Sequence, residues 1–223
     1  MRVLLHVPII HVETDLGTAG AAVRQQGAAL TGERKWARHR QVVDSFWRSL
    51  SAHFDSAEAA GLKIYQDGLV ADGELGLQIV REAAEQGSPN HQIMLHLTER
   101  GAQLVKTESR SLMMEEYSYV RRFADAQGIS SEPGARSLHS RRASLIRERD
   151  QFIALTIDET LGAGETGVLF IGSLHDIARY IPKDISVRPL VDRDKLNAYI
   201  AELAQGEDWT RFEQLAAYVA SPL

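Results

Sequence analysis

The sequence predicts an α/β fold: a mostly parallel, about five-stranded sheet with helices on both faces and a C-terminal helical extension. Short apolar runs alternate with helical patterns along the chain, which favours a parallel sheet. The runs are continuous rather than alternating, which indicates burial on both faces. The 223 residues suit one large domain. We therefore expect an α/β domain over residues 1–190, with residues 191–223 forming a helical extension that packs on it.

The apolar runs and helical patterns place each element in order. The predicted strands are Val3–Ile10, Leu62–Tyr65, Gln103–Thr107, Val168–Ile171 and Ile185–Val187. Pro8 has no amide hydrogen to donate to a ladder, so we expect the first strand to end or bend there. Apolar residues at three- and four-residue spacing predict helices over Trp36–Ala60, Glu74–Gln86, Asn90–Arg100, Ser111–Ala126, Ser137–Leu161, Asp192–Gln205 and Asp208–Ala220. The stripe that begins at Trp209 in the last helix docks on its own domain or, as the alternative, forms a homo-oligomer contact.

Two stretches carry neither pattern. Residues 14–35 contain Gly17, Gly20, Gly27 and Gly32 among small and polar residues, and a second glycine- and serine-containing stretch covers Gly128–Gly134. Long loops in compact domains are usually functional covers or disordered connections. We therefore expect a mobile loop near residues 14–35, acting either as a lid or as a floppy surface segment.

Composition excludes several classes of function. The formal net charge is −5, from 25 Lys and Arg and 30 Asp and Glu, so we expect no nucleic-acid partner. The absence of cysteine excludes disulfides, thiolate metal sites and cysteine nucleophiles. The apolar N-terminal run is too short to span a membrane and lacks a signal-peptide cleavage pattern. We accordingly expect a cytoplasmic protein without a membrane partner.

One familiar motif occurs in the wrong context. Gly162–Gly167 matches G-x-G-x-x-G, but it closes a predicted helix and leads into a strand. A dinucleotide site needs the reverse order, because the helix that follows the glycines faces the pyrophosphate. The segment therefore predicts a helix end and a turn. The sequence contains no phosphate-binding P-loop, no H-E-x-x-H zinc helix and no G-x-S-x-G nucleophile elbow.

Acidic and imidazole side chains follow four of the predicted strands, where open parallel sheets bind ligands. The set is His11, Glu13, Asp67, Glu108, His175 and Asp176. Imidazole and carboxylate together suit Zn, Mn or Fe, and an incomplete ligand shell leaves room for an activated water. We expect His11, Glu13, Asp67 and His175 to bind a divalent metal, with Glu108 or Asp176 as general base. For each acid the alternative is helix capping or solvent exposure, and Asp176 fits capping well.

Arg149 lies inside an apolar helical face that includes Leu145, Ile153 and Ile157. A guanidinium in such a stripe is costly unless it is paired. We expect it to reach a substrate anion or to hold a site carboxylate in a fork. Snorkelling, or a structural ion pair with Glu115 or Glu116, is the alternative.

The C-terminal half resembles a known family. Arg147–Ala154, followed by Val168–His175, is similar to the Arg-containing helix and G-x-x-H strand end of the TraB/Tiki-like group, with its erythromycin-esterase-like and ChaN-like relatives. Pro8–Glu13 and Asp67 match the group's earlier strands less closely. The resemblance implies an α/β domain with a divalent-metal or hydrolase-type site. His175 and Arg149 carry over most directly, and His11 and Asp67 less so.

These observations lead to three hypotheses. The first is a metal-dependent hydrolase of a small polar or anionic substrate or a peptide, with Arg149 stabilising developing negative charge. The second is a non-enzymatic regulatory protein that binds an anion or nucleotide in the same pocket. The third is an interaction protein that forms dimers through the helix containing Trp209.

Overall fold

A computed structural model of the protein describes residues 1–12, 20–125 and 133–223. Within those ranges five strands form one sheet in the order β3-β2-β4-β1-β5, and every described pairing is parallel. The strands are β1 (Arg2–Ile9), β2 (Lys63–Gln66), β3 (Gln103–Leu104), β4 (Thr166–Gly172) and β5 (Ile185–Pro189). The predicted α/β class with a five-stranded parallel sheet is confirmed.

Eight helices connect and cover the described strands. They are α1 (Gly20–Thr31), α2 (Glu33–Ser56), α3 (Gly73–Glu85), α4 (Pro89–Glu99), α5 (Arg110–Asp125), α6 (Pro133–Thr160), α7 (Arg193–Gln205) and α8 (Trp209–Val219). A short 3-10 turn covers Ile177–Arg179. None of the helices in the described part of the chain is long and apolar enough to cross a membrane.

Helices cover both faces of the sheet. Since successive side chains of a strand point to opposite faces, one strand can contribute to two separate cores. On β4, Val168 and Phe170 pack in a core with residues of α2, α4, α7 and α8. Leu169 and Ile171, on the opposite face, pack with residues of α6. The apolar stripe of α8 is buried in the first of these cores, and Phe212 is fully buried there. The stripe is therefore an intrachain contact, which was the first of the two alternatives for it.

The prediction of a loop over residues 14–35 is wrong for the part that the structure describes. Residues 20–31 form α1, and α2 begins at Glu33. The alanines and glutamines of this segment have high helix propensity, and Gly32, at φ +84°, separates the two helices. Gly27 serves packing rather than flexibility, because a Cβ there would lie 2.5 Å from the Trp36 ring. Residues 13–19 and 126–132, and the loop predictions on them, lie outside the described residues.

The strand order places a crevice at the carboxyl edge of the sheet. β1 and β4 are neighbours in the sheet, but the connections that follow them run in opposite directions across it. The chain goes from β1 past β4 to β2, and from β4 past β1 to β5. Such a reversal is where open α/β sheets bind ligands. At the opposite edge, Gly162–Gly167 forms a turn from α6 into β4, with Gly164 at φ +84°. The interpretation of that motif as a helix end and turn is confirmed.

Candidate functional site

The site begins at a tight turn after β2. The backbone N–H of Leu69 donates to the carbonyl of Gln66 at 3.0 Å, and Gly68 has φ +89°. A turn of this kind needs glycine at its third position, because an L side chain is strained there. The turn fixes Asp67 at the carboxyl end of β2, beside the end of β4.

The carboxylate of Asp67 connects three parts of the molecule. Its Oδ1 accepts a hydrogen bond from Arg149 Nη2 at 2.5 Å, and its Oδ2 accepts one from the backbone N–H of Gly172 at 3.3 Å. Oδ2 also lies 3.3 Å from His175 Nε2. A Cβ on Gly172 would lie only 3.2 Å from Oδ2. Glycine at the start of the G-x-x-H segment therefore lets the carboxylate approach the strand end.

His175 lies between two carboxylates. Its Nδ1 lies 2.6 Å from Oδ1 of Asp150 on α6, and its Nε2 faces Asp67. The other oxygen of Asp150 accepts the backbone N–H of Asp176 at 3.0 Å. The side chains of His175 and Asp150 are 5% and 3% exposed, whereas that of Asp67 is 19% exposed. We call Asp67, His175 and Asp150 the triad; Asp67 is its most exposed member.

Arg149 joins the triad to two further carboxylates. Its Nε and Nη2 donate to Glu108 Oε1 at 3.0 and 2.5 Å, and its Nη1 donates to Glu116 on α5. With the bond to Asp67, all three guanidinium nitrogens donate to carboxylates. Of the expectations for Arg149, the structure shows a fork on site carboxylates together with the ion pair to Glu116.

Burial and charge shift the pKa values of these groups in opposite directions. Burial alone would raise the pKa of Asp67, but the hydrogen bond and charge of His175 and the charge of Arg149 hold it well below its usual range. Burial would lower the pKa of His175, but its bonds to Asp150 and Asp67 outweigh this and raise it to about 9. Burial raises the pKa of Glu108 despite the bond from Arg149. Oε2 of Glu108 is buried and has no hydrogen-bond partner among the described residues.

A cleft of about 290 Å³ opens beside Asp67. It lies between the ends of β1 and β2 on one side and α3 and α4 on the other. Its lining combines polar and apolar residues: Ile9, His11, Gln66, Asp67, Gly68, Leu69, Ile79, Ala83, Gln86, Ser88, Asn90 and His91. Asn90 Nδ2 donates to Gln66 Oε1 at 3.1 Å, and Ser88 Oγ donates to Asn90 Oδ1 at 2.9 Å. These bonds hold the polar side chains of Gln66, Ser88 and Asn90 in place in the lining.

The structure brings together four of the predicted site residues and separates others. Asp67, Glu108, Arg149 and His175 share one hydrogen-bonded network. His11 is exposed and lines the cleft together with Asp67.

Asp176 stands apart from that network. The side chain of Asp176 is 58% exposed, lies 3.6 Å from Arg193 and does not cap the following turn. Glu13 lies outside the described residues.

Of the ligands expected for a divalent metal, His11, Asp67 and His175 are described, and they are not gathered as a set that could hold an ion. Imidazole must be neutral to bind a metal, whereas both ring nitrogens of His175 face carboxylates that favour its protonated form. Among the described residues no group of three or more histidines and carboxylates is placed to hold a metal ion. We therefore assign no chemical step to a metal, and metal content stays a prediction to be measured.

Sequence reasoning missed Asp150. It follows Arg149 directly and lies on the same helical stripe, three residues before Ile153 and seven before Ile157, and it is 2% exposed. Asp150, like Arg149, is a charged residue in an apolar stripe, and that signal could have identified it. The amides of Gln66 and Asn90 carried no such signal, because the sequence does not show that they face each other.

Comparison of the chain with protein-family models, with curated proteins and with solved structures gives no match. The resemblance to the TraB/Tiki-like group therefore stays a prediction.

Proposed function

We propose that the protein is a hydrolase of a small polar substrate, in which Asp67 attacks the substrate and His175 and Asp150 support it. The observation that carries the proposal is the position of the His175 ring between two carboxylates, one of which lines the cleft. A nucleophile, an imidazole within hydrogen-bonding reach and a third group that orients the imidazole are the parts that covalent catalysis uses.

The protonation states suit these roles. Because the pKa of Asp67 is lowered, its carboxylate is ionised near neutral pH. It is therefore a poor proton acceptor, and it is available as a nucleophile. His175 is protonated beside it, as an acid for the leaving group requires. Asp150 fixes the ring through Nδ1, while the backbone N–H of Gly172 and the guanidinium of Arg149 orient the attacking carboxylate.

The proposed reaction has two balanced steps. In the first, an oxygen of Asp67 forms a bond to the electrophilic atom of the substrate, the bond to the leaving group breaks, and His175 gives its proton to the leaving group. Asp67 has then lost its charge, so the interaction that held the proton on His175 is weaker. In the second step the neutral imidazole takes a proton from water, the hydroxide releases the substrate fragment from Asp67, and both groups return to their initial states.

The test combines steady-state rates with detection of the covalent intermediate. Purified protein is assayed on a panel of carboxylic esters, phosphate esters, glycosides and peptides, with and without a chelator. His175→Gln is expected to lower kcat by roughly 10²–10⁴-fold, because it removes the acid of the first step and the base of the second. In the wild type an adduct is expected on the peptide that contains Asp67, detected by mass spectrometry after acid quench. Asp67→Asn is expected to remove both activity and adduct. The matched controls are His96→Gln and Asp194→Asn, which alter exposed residues away from the cleft.

Three outcomes contradict the proposal. Wild-type rates in His175→Gln, or an adduct that persists in Asp67→Asn, would remove the assigned roles. Activity that is lost on chelation and restored by Mn, Zn or Fe would favour the metal-dependent hydrolase expected from the sequence. Ligand binding in the cleft without any turnover would favour the non-enzymatic alternative.

A further inference from the structure

We infer that the cleft takes a small uncharged or cationic compound that carries hydroxyl or amino groups, and that it rejects phosphorylated and carboxylated compounds. This inference rests on the proposed function, since it names the substrate class of the same site. It departs from the anionic substrate that the sequence analysis allowed.

The described lining of the cleft carries a carboxylate but no guanidinium or ammonium group. Asp67 is the acidic residue of the cleft, and no lysine or arginine is present among the described residues that line it. An anion placed near the Asp67 carboxylate would therefore meet a like charge without a guanidinium or ammonium group of the described lining to offset it.

Arg149 and the protonated His175 are the cations in direct contact with Asp67, and both also contact other carboxylates. The three nitrogens of Arg149 donate to Asp67, Glu108 and Glu116, and its side chain is 9% exposed. Four of its five N–H groups donate to these carboxylates, so an added anion would compete with three carboxylates for one positive charge, and Glu108 among them is fully buried. Arg149 is thus a structural counter-ion of the site carboxylates.

The neutral polar residues of the lining fit the same class of ligand. Gln66, Gln86, Ser88 and Asn90 carry neutral donors and acceptors, some of them already bonded to one another, which match hydroxyl, amide or ammonium groups. The apolar side of the cleft, with Ile79 among its residues, suits a carbon skeleton. A volume of about 290 Å³ is at the lower limit of ligand pockets, so the ligand is small.

The test measures binding rather than turnover, using the wild-type protein, and the NMR signals of each probe show whether it is consumed. Ligand-observed NMR compares matched probes: glycerol with glycerol 3-phosphate, glucose with glucose 6-phosphate, and glucosamine with glucosamine 6-phosphate. At least one uncharged or amino member is expected to bind at millimolar concentration, about tenfold or more tightly than its phosphate. Asp67→Asn should reduce this discrimination, because it removes the like charge.

A second variant keeps the inference testable if Asp67→Asn fails to fold. Ala83→Leu, on α3, fills the cleft without removing any hydrogen bond of the triad, and it should weaken binding at least tenfold. Ala201→Leu, an equal change at an exposed position of α7, should leave binding unchanged. Preference for the phosphates, or binding by none of the uncharged or amino probes, overturns the inference. Binding with the expected preference but no hydrolysis by the wild type refutes the proposed function and leaves the inference standing.

Discussion

Replacing Arg149 with methionine tests whether one guanidinium holds the buried acidic network together. The side chains of its partners Glu108, Glu116 and Asp67 are 0%, 12% and 19% exposed, so none can recover full hydration when the guanidinium is removed. Breaking a buried ion pair in this way costs about 3–5 kcal/mol. We expect a loss of about 4 kcal/mol in the free energy of unfolding at pH 7.

The pH dependence of this loss gives the reasoning a second check. Without the cation, the three carboxylates repel one another and bind protons more readily in the folded state. Lowering the pH from 7 to 5 should therefore reduce the difference between the variant and the wild type. Arg149→Lys keeps the charge but loses the planar fork, so its cost should be intermediate.

Urea unfolding followed by circular dichroism measures these differences directly. The matched control is Arg147→Met, an exposed position two residues away on α6, for which we expect a change within about 0.5 kcal/mol. If the free energy of unfolding of Arg149→Met lies within about 1 kcal/mol of that of the control, then the three carboxylates do not depend on the guanidinium and the reasoning is refuted. A pH-independent loss would show that the cost comes from packing rather than from unpaired charge.

Three further predictions follow from neighbouring features. Gly172→Ala should destabilise the fold by about 1–2 kcal/mol in urea unfolding, because its Cβ would crowd Asp67; an unchanged midpoint would contradict the close approach. The raised pKa of His175 gives stability that is fully present below pH 6.5 and is lost as pH rises through about 9, by about 3 kcal/mol. His175→Gln should remove this alkaline slope, and a slope that persists would assign it to another group. Burial lowers the pKa of His6 to about 4, so stability should fall between pH 6.5 and 4; His6→Gln, measured by the same titration, should flatten that decline.

Much of the fold is predictable from local pattern, whereas the site depends on strand order. Continuous apolar runs located the strands because both faces of the sheet are covered, and helix ends were found to within a few residues. The prediction failed at residues 20–31, where Gly27 signalled flexibility in the sequence but permits contact with Trp36 in the structure. Glycine has both uses, and only the three-dimensional neighbour distinguishes them.

The candidate site was also predictable in part. Asp67, Glu108 and His175 meet because each follows a strand at the carboxyl edge of the sheet, which the sequence indicated. That β4 lies between β2 and β1 cannot be read from local pattern, yet this order brings Gly172 against Asp67. The protonation of His175 also depended on a partner, Asp150, that lies 25 residues away on another element.

The position of β1 between β4 and β5 has a consequence for synthesis on the ribosome. Its ladder partners are β4 and β5, and β4 begins only at Thr166. At translation rates of about 5–20 residues per second, the apolar strand waits for roughly 10–30 seconds before its first neighbour emerges. During that interval the nascent chain exposes an unpaired, aggregation-prone strand that a ribosome-associated chaperone would be suited to cover. β1 is thus made before the other four strands of the sheet and yet waits for β4 before it is paired.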